Sequence, residues 1–535
     1  MRSGMRKALS LLAFAAGCGL LAASALASVG QGPPANTLRI SWQSDVEIDP
    51  ARADYGNSWA LQYATGAFLL TYPDAPAPRG SRLVPELAAA FPTISRDGLT
   101  YTFRIKRGRR FSNGQWVTAG SFARAIYRTL HGGWGAESVA DLVGAETVMR
   151  GRASRLRGVR VVDRLTLRLR IRKPAPDLLA RLAMPFFAAA PPSLGFDVGH
   201  EEVEAPVSAA GPYYVRERTS NRRIVLVRNP YYRGTRPRKV DRIVVDIGLP
   251  PQTTKLSIDR GEIDIGDVPT SAHAELGRRF GVRRRSPGRY FANPTPTIYF
   301  VTFNHARPLF GGPTRLGNVR LKKAVNFALD RSALIHQHGA YAGSAHDQLL
   351  APGVRGFRDV PIYPARPDLR RARALASGST REAKGSVYCS NGELFRLQCQ
   401  IIQANLREIG LDISRAPGCP AGCIQLPPHD LALGGWRAEF LDPAAFTHLV
   451  DGASVRREGT LNDTRYNRKI RLARQLTGTR RYEAFGALDV ELMRNAAPLA
   501  VFGVANERHY VSARLGCYHH HPVYGFDFPA ICLRR

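Results

Sequence analysis

Residues 1–27 decide where the rest of the chain has to fold. Met1 to Leu9 carries Arg2, Arg6 and Lys7 and no acid. An apolar run follows from Leu11 through Leu26, and Ala25-Leu26-Ala27 offers small residues at both positions a signal peptidase reads. A basic head, an apolar core and an A-x-A site together mark a secretory signal. The competing reading, an N-terminal membrane anchor, is weaker, because a stable span needs about 20 apolar residues and this core is short and interrupted by glycine. Ala15-Ala16-Gly17-Cys18 also fits a lipoprotein box, without the usual leucine three residues before the cysteine. The chain is therefore expected to be exported, periplasmic or on the outer face of the cytoplasmic membrane, freed after Ala27 or tethered through Cys18.

No other stretch approaches a membrane span, so roughly 508 residues remain, more than one core accommodates, and two or three domains are expected. Setting Cys18 aside, six cysteines are left: Cys389, Cys399, Cys419, Cys423, Cys517 and Cys532. In an oxidising compartment an even set implies disulfides, with roughly 15 connectivities open to six cysteines. The sequence-local pairing 389–399, 419–423, 517–532 is the expectation. A metal site at Cys419–Cys423 lacks a second well-spaced ligand pair. The six cysteines do not distinguish cleavage from lipidation, since both remove or modify Cys18.

The formal net charge is +33. Arginine spreads it along the chain, as at Arg278-Arg279, Arg283 to Arg285, Arg370-Arg371 and Arg456-Arg457. A basic protein invites a nucleic-acid reading. Yet there is no basic helix, zinc-finger spacing or aromatic-basic module, and solvated arginines facing anionic envelope polymers fit an exported chain better.

Alternating apolar residues predict strands at Leu38 to Trp42, Tyr101 to Ile105, Val159 to Val162, Leu165 to Ile171, Ile224 to Arg228 and Ile243 to Ile247. Helical spacing follows Thr118 (Phe122, Ile126, Leu130) and recurs over Thr253 to Arg260, Leu321 to Ile335 and Cys399 to Ile409. Interleaved strands and helices predict α/β or α+β lobes. Asn113-Gly114 is a turn signal, Gly211-Pro212 a bend entering a strand, and Asp330-Arg331 a cap or ion pair near a helix end.

Four ordered stretches resemble one family. They are Arg110-Phe111-Ser112-Asn113-Gly114 with Val117-Thr118-Ala119; Ala210-Gly211-Pro212-Tyr213 with Ile224 to Tyr232; Gly261-Glu262-Ile263-Asp264-Ile265; and Phe303-Asn304 followed by Asn318-Val319-Arg320, Ala324, Ala328 and Asp330-Arg331. Together they resemble the extracytoplasmic solute-binding proteins, family 5, of ABC importers, the peptide- and nickel-binding type. The likeness runs from about Leu38 to the C-terminus; Ser121-Phe122 departs from the family's usual Asp-Val, which weakens an expected capping box. It implies an α/β fold of two periplasmic-binding-protein-like lobes with a hinge and an extra small domain. Lobe I would take residues 36–62, 190–290 and 495–535, the inserted small domain 63–189, and lobe II 291–494. It also implies a monomer that delivers a peptide or other small solute to a membrane ABC permease, with no cofactor.

In peptide-binding relatives a Trp-x-x-Asp segment sets a carboxylate against the ligand's ammonium. Here the matching residues are Trp436-Arg437-Ala438-Glu439, so the resemblance assigns that role to Glu439, one methylene longer, with Trp436 as an apolar or cation–π wall. Core packing of Trp436 and a Glu439–Arg437 ion pair are the alternatives, and Asp442 is the fallback carboxylate. Around Asp49-Pro50, Tyr55, Trp59 and Tyr63 are candidate aromatic walls, with core packing as the equal alternative. His519-His520-His521 tempts a metal reading, but successive residues of a strand face opposite ways, so surface or strand-end histidines are expected.

A secreted hydrolase is the rival class. The chain has no G-x-S-x-G elbow, and His200-Glu201-Glu202-Val203-Glu204 starts like a zinc-protease helix without its second histidine. No catalytic residue is assigned. Sensing by the same scaffold is a further alternative.

Overall fold

The computed structural model describes residues 36–534 apart from 54–55, 78, 154–155, 197, 199–202, 306–317, 379–383, 419–427 and 452–460. The signal segment with Cys18, Tyr55, Cys419 and Cys423 lie outside the described residues.

The elements that position the site are, in chain order, β1 (Thr37–Trp42), α1 (Asn57–Thr65), β2 (Thr93–Ile94), β3 (Thr100–Arg104), α2 (Ala119–Leu130), β4 (Val159–Asp163) and β5 (Thr166–Arg170). Then come β6 (Tyr213–Thr219), β7 (Arg223–Arg228), β8 (Arg242–Ile247), β9 (Ile265–Gly266), β10 (Tyr290–Phe303), α3 (Val319–Ala328), α4 (Arg331–His336) and β11 (Gly343–Ala345). The chain closes with β12 (Lys384–Tyr388), α5 (Glu393–Arg407), β13 (Asp412–Arg415), β14 (Leu431–Arg437), α6 (Gly478–Asn495), β15 (Leu499–Val511), β16 (His520–His521) and β17 (Gly525–Phe526).

One large mixed sheet runs β13-β12-β14-β10-β15-β9-β1-β8-β7-β6, with β11 added to β15. Its two central strands are its longest. β10 and β15 pair antiparallel from Tyr290↔Tyr510 to Thr302↔Leu499, and the register slips between Pro294 and Ile298. Pro294 and Pro296 supply no N–H to a ladder, so the pairing has to lapse where they stand. On one side of that lapse β15 meets β9 and, through it, β1 and β8; on the other, β10 meets β14. A second, four-stranded sheet, β2-β3-β5-β4, stands apart and packs Phe103, Leu167 and Leu169 inward with Phe122 and Ile126 of α2. One apolar core around Leu38, Ile40, Leu226 and Val245 lies beneath β1, β7 and β8, while a larger one joins the small sheet to the elements after Ile298. The α/β class is as the resemblance implies.

Local chemistry explains most departures from the sequence expectation. The helix expected over Leu321 to Ile335 is two, α3 and α4, because Asp330 leaves the helix and accepts the Ala333 N–H at 2.8 Å as a new N-cap. The weakened cap at Thr118 is repaired by a serine: Ser121 Oγ accepts the Thr118 N–H at 3.2 Å. Gly211 owes its identity to a close approach, since a Cβ there would meet the Thr65 and Gly66 carbonyl oxygens at 2.4 Å. Disulfides join Cys389 to Cys399 and Cys517 to Cys532, as expected.

Arg331 is fully buried and ties α4 to the central strand. Its Nε donates to Val501 O of β15 at 2.9 Å, and its terminal nitrogens to Asn326 O and Oδ1 at 2.7 and 2.9 Å. Burial lowers its pKa to about 10, so it stays charged at neutral pH. Arg331→Met strands these acceptors and is expected to cost roughly 2–4 kcal/mol, measured by urea unfolding.

Burial also holds His273, His305 and His338 at about 4. Gln398 Nε2 donates to His338 Nε2 at 2.9 Å, so the ring proton sits on Nδ1. An unfolded imidazole titrates near ~6.5, so between there and about pH 4 the unfolded chain binds more protons and stability falls as the pH drops. Asp489, pushed up to about 7 by burial, acts in the opposite sense across this window, as do Glu86, Asp267 and Asp527, also raised by burial. Burial lowers His346, His519, His520 and His521 as well, so with seven imidazoles against four carboxyls calorimetry is expected to show a net loss of Tm from pH 6.5 to 4.

Candidate functional site

β14 leads straight to the candidate residues. Its last two positions, Trp436 and Arg437, lie opposite Ile298 and Thr297 of β10. Ala438 N–H makes a further bond to Pro296 O at 2.8 Å, and the chain then bends away over Ala438 to Phe440. Glu439 therefore stands at the point where the chain leaves the central strands, half-buried.

Trp436 is also half-buried. Its indole N–H donates to Ala445 O at 3.0 Å and its ring meets His448 edge-on at 4.1 Å, which pins the loop behind Glu439. Asp442 is engaged elsewhere: Arg481 of α6 grips both of its oxygens, at 2.7 and 3.0 Å, and Oδ1 also accepts the Ala444 N–H at 2.9 Å. Both side chains of that pair are at least nine-tenths buried. The preceding loop residue reaches across the fold, with the Leu441 N–H directed to the Tyr72 hydroxyl.

Trp59, expected as a cleft wall, is 3% exposed and packs in the core edge-on against Phe186. Tyr63 lies one turn further along α1, stacked on Tyr524 at 4.2 Å and donating to Asp74.

Beside Glu439 lies a cluster that sequence reasoning missed. Arg437 Nη1 reaches Glu507 Oε2 of β15 at 3.4 Å. The same carboxylate meets His520 Nε2 at 3.1 Å and His509 Nε2 at 3.2 Å. With its Nε2–H given to Glu507, His509 accepts the Tyr518 hydroxyl at Nδ1 (2.7 Å), and Tyr518 accepts the Asn293 amide at 2.9 Å. Burial alone would raise the Glu507 carboxyl, but His520 and His509 hold it well below the usual range. Burial also keeps His520 below its ordinary value, so at neutral pH it serves Glu507 as a neutral donor. Gly525 of β17 faces the cluster and is a glycine for its backbone, φ +80°; a Cβ there would make only ordinary contact, 3.5 Å from the Glu507 carboxylate and 3.7 Å from Arg437.

Of the surface or strand-end histidines expected at 519–521, the surface placement is corrected, while His520 and His521 form a two-residue strand with His519 just before it. His521 is fully buried, its Nδ1 accepting the Val523 and Tyr524 N–H groups at 3.1 Å, and His520 has only 4% of its side chain exposed. The strand alternation sends them to different partners. The visible signal was the triple histidine itself; Glu507 and His509, alternate residues of one strand, carried none.

A cavity of about 500 Å³ opens nearby, lined among others by Thr71, Asp74, Glu86, Arg236, Lys239 and His519. Arg236 spans its wall, paired with Glu86 at 2.8 Å and lying 4.6 Å over the Tyr63 ring. The space is thus polar and of both signs, suited to a zwitterion. Among the described residues no group of three His, Cys, Asp or Glu is arranged to hold a metal ion.

Comparison with known proteins agrees in every direction. The model of the bacterial extracellular solute-binding proteins, family 5, matches residues 82–456. The Escherichia coli nickel-binding periplasmic protein is 24% identical over 354 residues, 62% of each chain, so the match spans less than two thirds of that relative. A probable D,D-dipeptide-binding periplasmic protein of the same organism is 21% identical over 77% of each chain. The di/tripeptide-binding protein 2 of Pseudomonas aeruginosa is 24% identical over 85% of this chain and 84% of its own. In fold, the chain is similar to the clavulanic acid biosynthesis oligopeptide binding protein 2 (TM-score 0.79, 24% identity, 93% of this chain and 95% of that one). It is similar also to Listeria monocytogenes OppA bound to peptide (TM-score 0.72, 16% identity, 94% and 100%).

The Arg481–Asp442 pair is structural by this geometry. Asp442→Asn would leave a buried guanidinium without its anion, and a loss of roughly 3–5 kcal/mol is expected in chemical denaturation, whatever its effect on ligand.

Proposed function

The chain belongs to the bacterial extracellular solute-binding proteins of family 5, and on that premise we propose that it captures peptides between two lobes and delivers them to an ABC permease. The observation that carries the reading is the position of Glu439, half-buried and next to the two strands that join the halves of the large sheet. Strands that run unbroken through both halves can flex where their ladder lapses, and such flexing opens and closes a cleft as in hinge-bending proteins. The bodies that move are proposed to be 36–62, 190–290 and 495–535 with the insert 63–189 on one side, and 291–494 on the other.

Glu439 would take the peptide ammonium. A charge-assisted bond to an ammonium strengthens when both groups leave water together. The peptide backbone would lie as an added strand, which gives affinity tolerant of sequence. Asp74 and Lys239 at the mouth of the cavity supply both signs of charge for a ligand that carries both, while the buried Arg236–Glu86 pair holds its wall. Trp436 braces the Glu439 loop, while Tyr55 and Trp59 retain at most a supporting part. Two of the relatives that match are named as periplasmic proteins, which supports an extracytoplasmic place; the chain would act there as a monomer, released after Ala27 or tethered through Cys18. Its work is binding, and no residue is assigned a catalytic step.

The test is a thermal-shift screen of the mature protein against a peptide pool. Ligand at 100 times its Kd stabilises by about 2.7 kcal/mol, so a clear rise in Tm is expected. Glu439→Gln is expected to weaken binding at least about tenfold, and N-acetylated peptides are expected to bind the native protein equally poorly. A shift with sugars or metal chelates and none with peptides would refute the peptide assignment.

A further inference from the structure

The solvent face of the small sheet is the most one-sided surface on the molecule's regular structure. Tyr101, Phe103, Leu167 and Leu169 point inward, so the alternate residues of β3 and β5 face water. Register across the sheet sets Thr93, Thr102, Arg168 and Arg160 in one row. Arg170 stands beside Thr100 and Arg104 beside Thr166 in the rows flanking it. All four arginines are exposed.

Arg160 and Arg168 are directly opposed across neighbouring strands, an arrangement of like charges that destabilises a sheet. Among the described residues none of the four forms an ion pair that would relieve it. The acids at the margins hold their own turns, Asp97 accepting the Leu99 N–H at 3.0 Å and Asp163 the Leu165 N–H at 2.8 Å, and their charges act on Arg170 and Arg104 in the flanking rows, not on the opposed pair Arg160 and Arg168. An anion from outside would remove the repulsion. Guanidinium forks flanked by threonine hydroxyls fit phosphate, which takes several donors at once.

We propose that this face docks on an anionic membrane, its arginines and threonines taking lipid phosphates. Two features favour a lipid surface over a soluble polyanion. The sheet offers a broad face, where a single polymer strand would need a groove. Exposed apolar side chains stand along its edge strands: Ile94 and Val161, paired with the inward-facing Tyr101 and Leu167, emerge at the two edges, and with Phe91 and Val162 they are 42–50% exposed. Trp116, 43% exposed, lies 3.6 Å from the Arg110 guanidinium and 5.3 Å from that of Arg164, the residue in the β4–β5 turn. Indole beside cationic groups is the composition of a membrane–water interface.

The experiment is co-sedimentation of the mature protein with phosphatidylglycerol–phosphatidylcholine vesicles and with pure phosphatidylcholine vesicles, at several salt concentrations. Binding to the anionic vesicles alone, falling with salt, is expected. The combined variant Arg104→Gln, Arg160→Gln, Arg168→Gln, Arg170→Gln is expected to bind at least about tenfold more weakly. A control variant with the same loss of charge at exposed positions elsewhere, Arg278→Gln, Arg279→Gln, Arg284→Gln, Arg285→Gln, is expected to bind nearly as well as the native protein. Trp116→Ala is expected to lower affinity severalfold with the salt dependence kept. Circular dichroism and thermal melts of each variant separate lost docking from lost folding. Equal losses in the two fourfold variants would overturn the proposal in favour of whole-molecule charge. Tighter binding to soluble polyphosphate or duplex DNA than to the vesicles would overturn the lipid assignment.

Discussion

The pairing of β10 with β15 is the interaction on which the rest depends. Each strand runs through both halves of the large sheet, so every other strand reaches the opposite half only through this pair. The two prolines that interrupt the ladder sit in the middle of the pairing, a second slip follows between Tyr299 and Phe300, and the strands are in register outside that stretch. That is the mechanical requirement of a hinge: stiff arms and one short stretch with few bonds to break. It also explains why a charged residue such as Arg331 is buried against β15. A guanidinium with several carbonyl acceptors holds a helix to the strand more directionally than an apolar contact would, so the helix must follow the strand when it moves.

Glu507 sits beside that interruption and is addressed from three sides. Arg437 comes from β14, His509 from two residues along β15, and His520 from the C-terminal segment. The donors belong to elements on both sides of the interruption, so the carboxylate reports on their relative position. Opening that drew β14 away would cost Glu507 its charged partner while leaving both imidazoles in place. The long Arg437 contact, 3.4 Å, is the weakest of the three and the one that such a movement would break first.

The sequence made the scaffold legible and the site only in part. Strands such as Leu38 to Trp42 and Ile243 to Ile247 were readable because alternation and burial coincide on them. The break between α3 and α4 was hidden because apolar spacing continues across it, and only the cap made by Asp330 reveals it. Glu439 and Trp436 could be found because they are neighbours in a local motif. Glu507, His509, Tyr518 and Asn293 could not, since their meeting depends on the register of strands more than 200 residues apart. Trp59 shows the opposite error: an aromatic residue near a cleft-lining segment is as readily a core residue, and composition does not say which way a helix faces.

The arginines illustrate why a net charge is a poor guide to partners. Arg128, Arg181, Arg218, Arg236 and Arg481 are buried and matched to acids, and Arg331 is buried and matched to carbonyls. These serve the fold and are hidden from any approaching anion. What an anion meets is the unmatched remainder, and on the small sheet that remainder is aligned by strand register, so its field adds over one face where scattered charges would partly cancel. A charge spread evenly along the sequence is therefore uneven in space, cationic on the solvent face of the small sheet and of both signs around the cavity lined by Asp74 and Lys239.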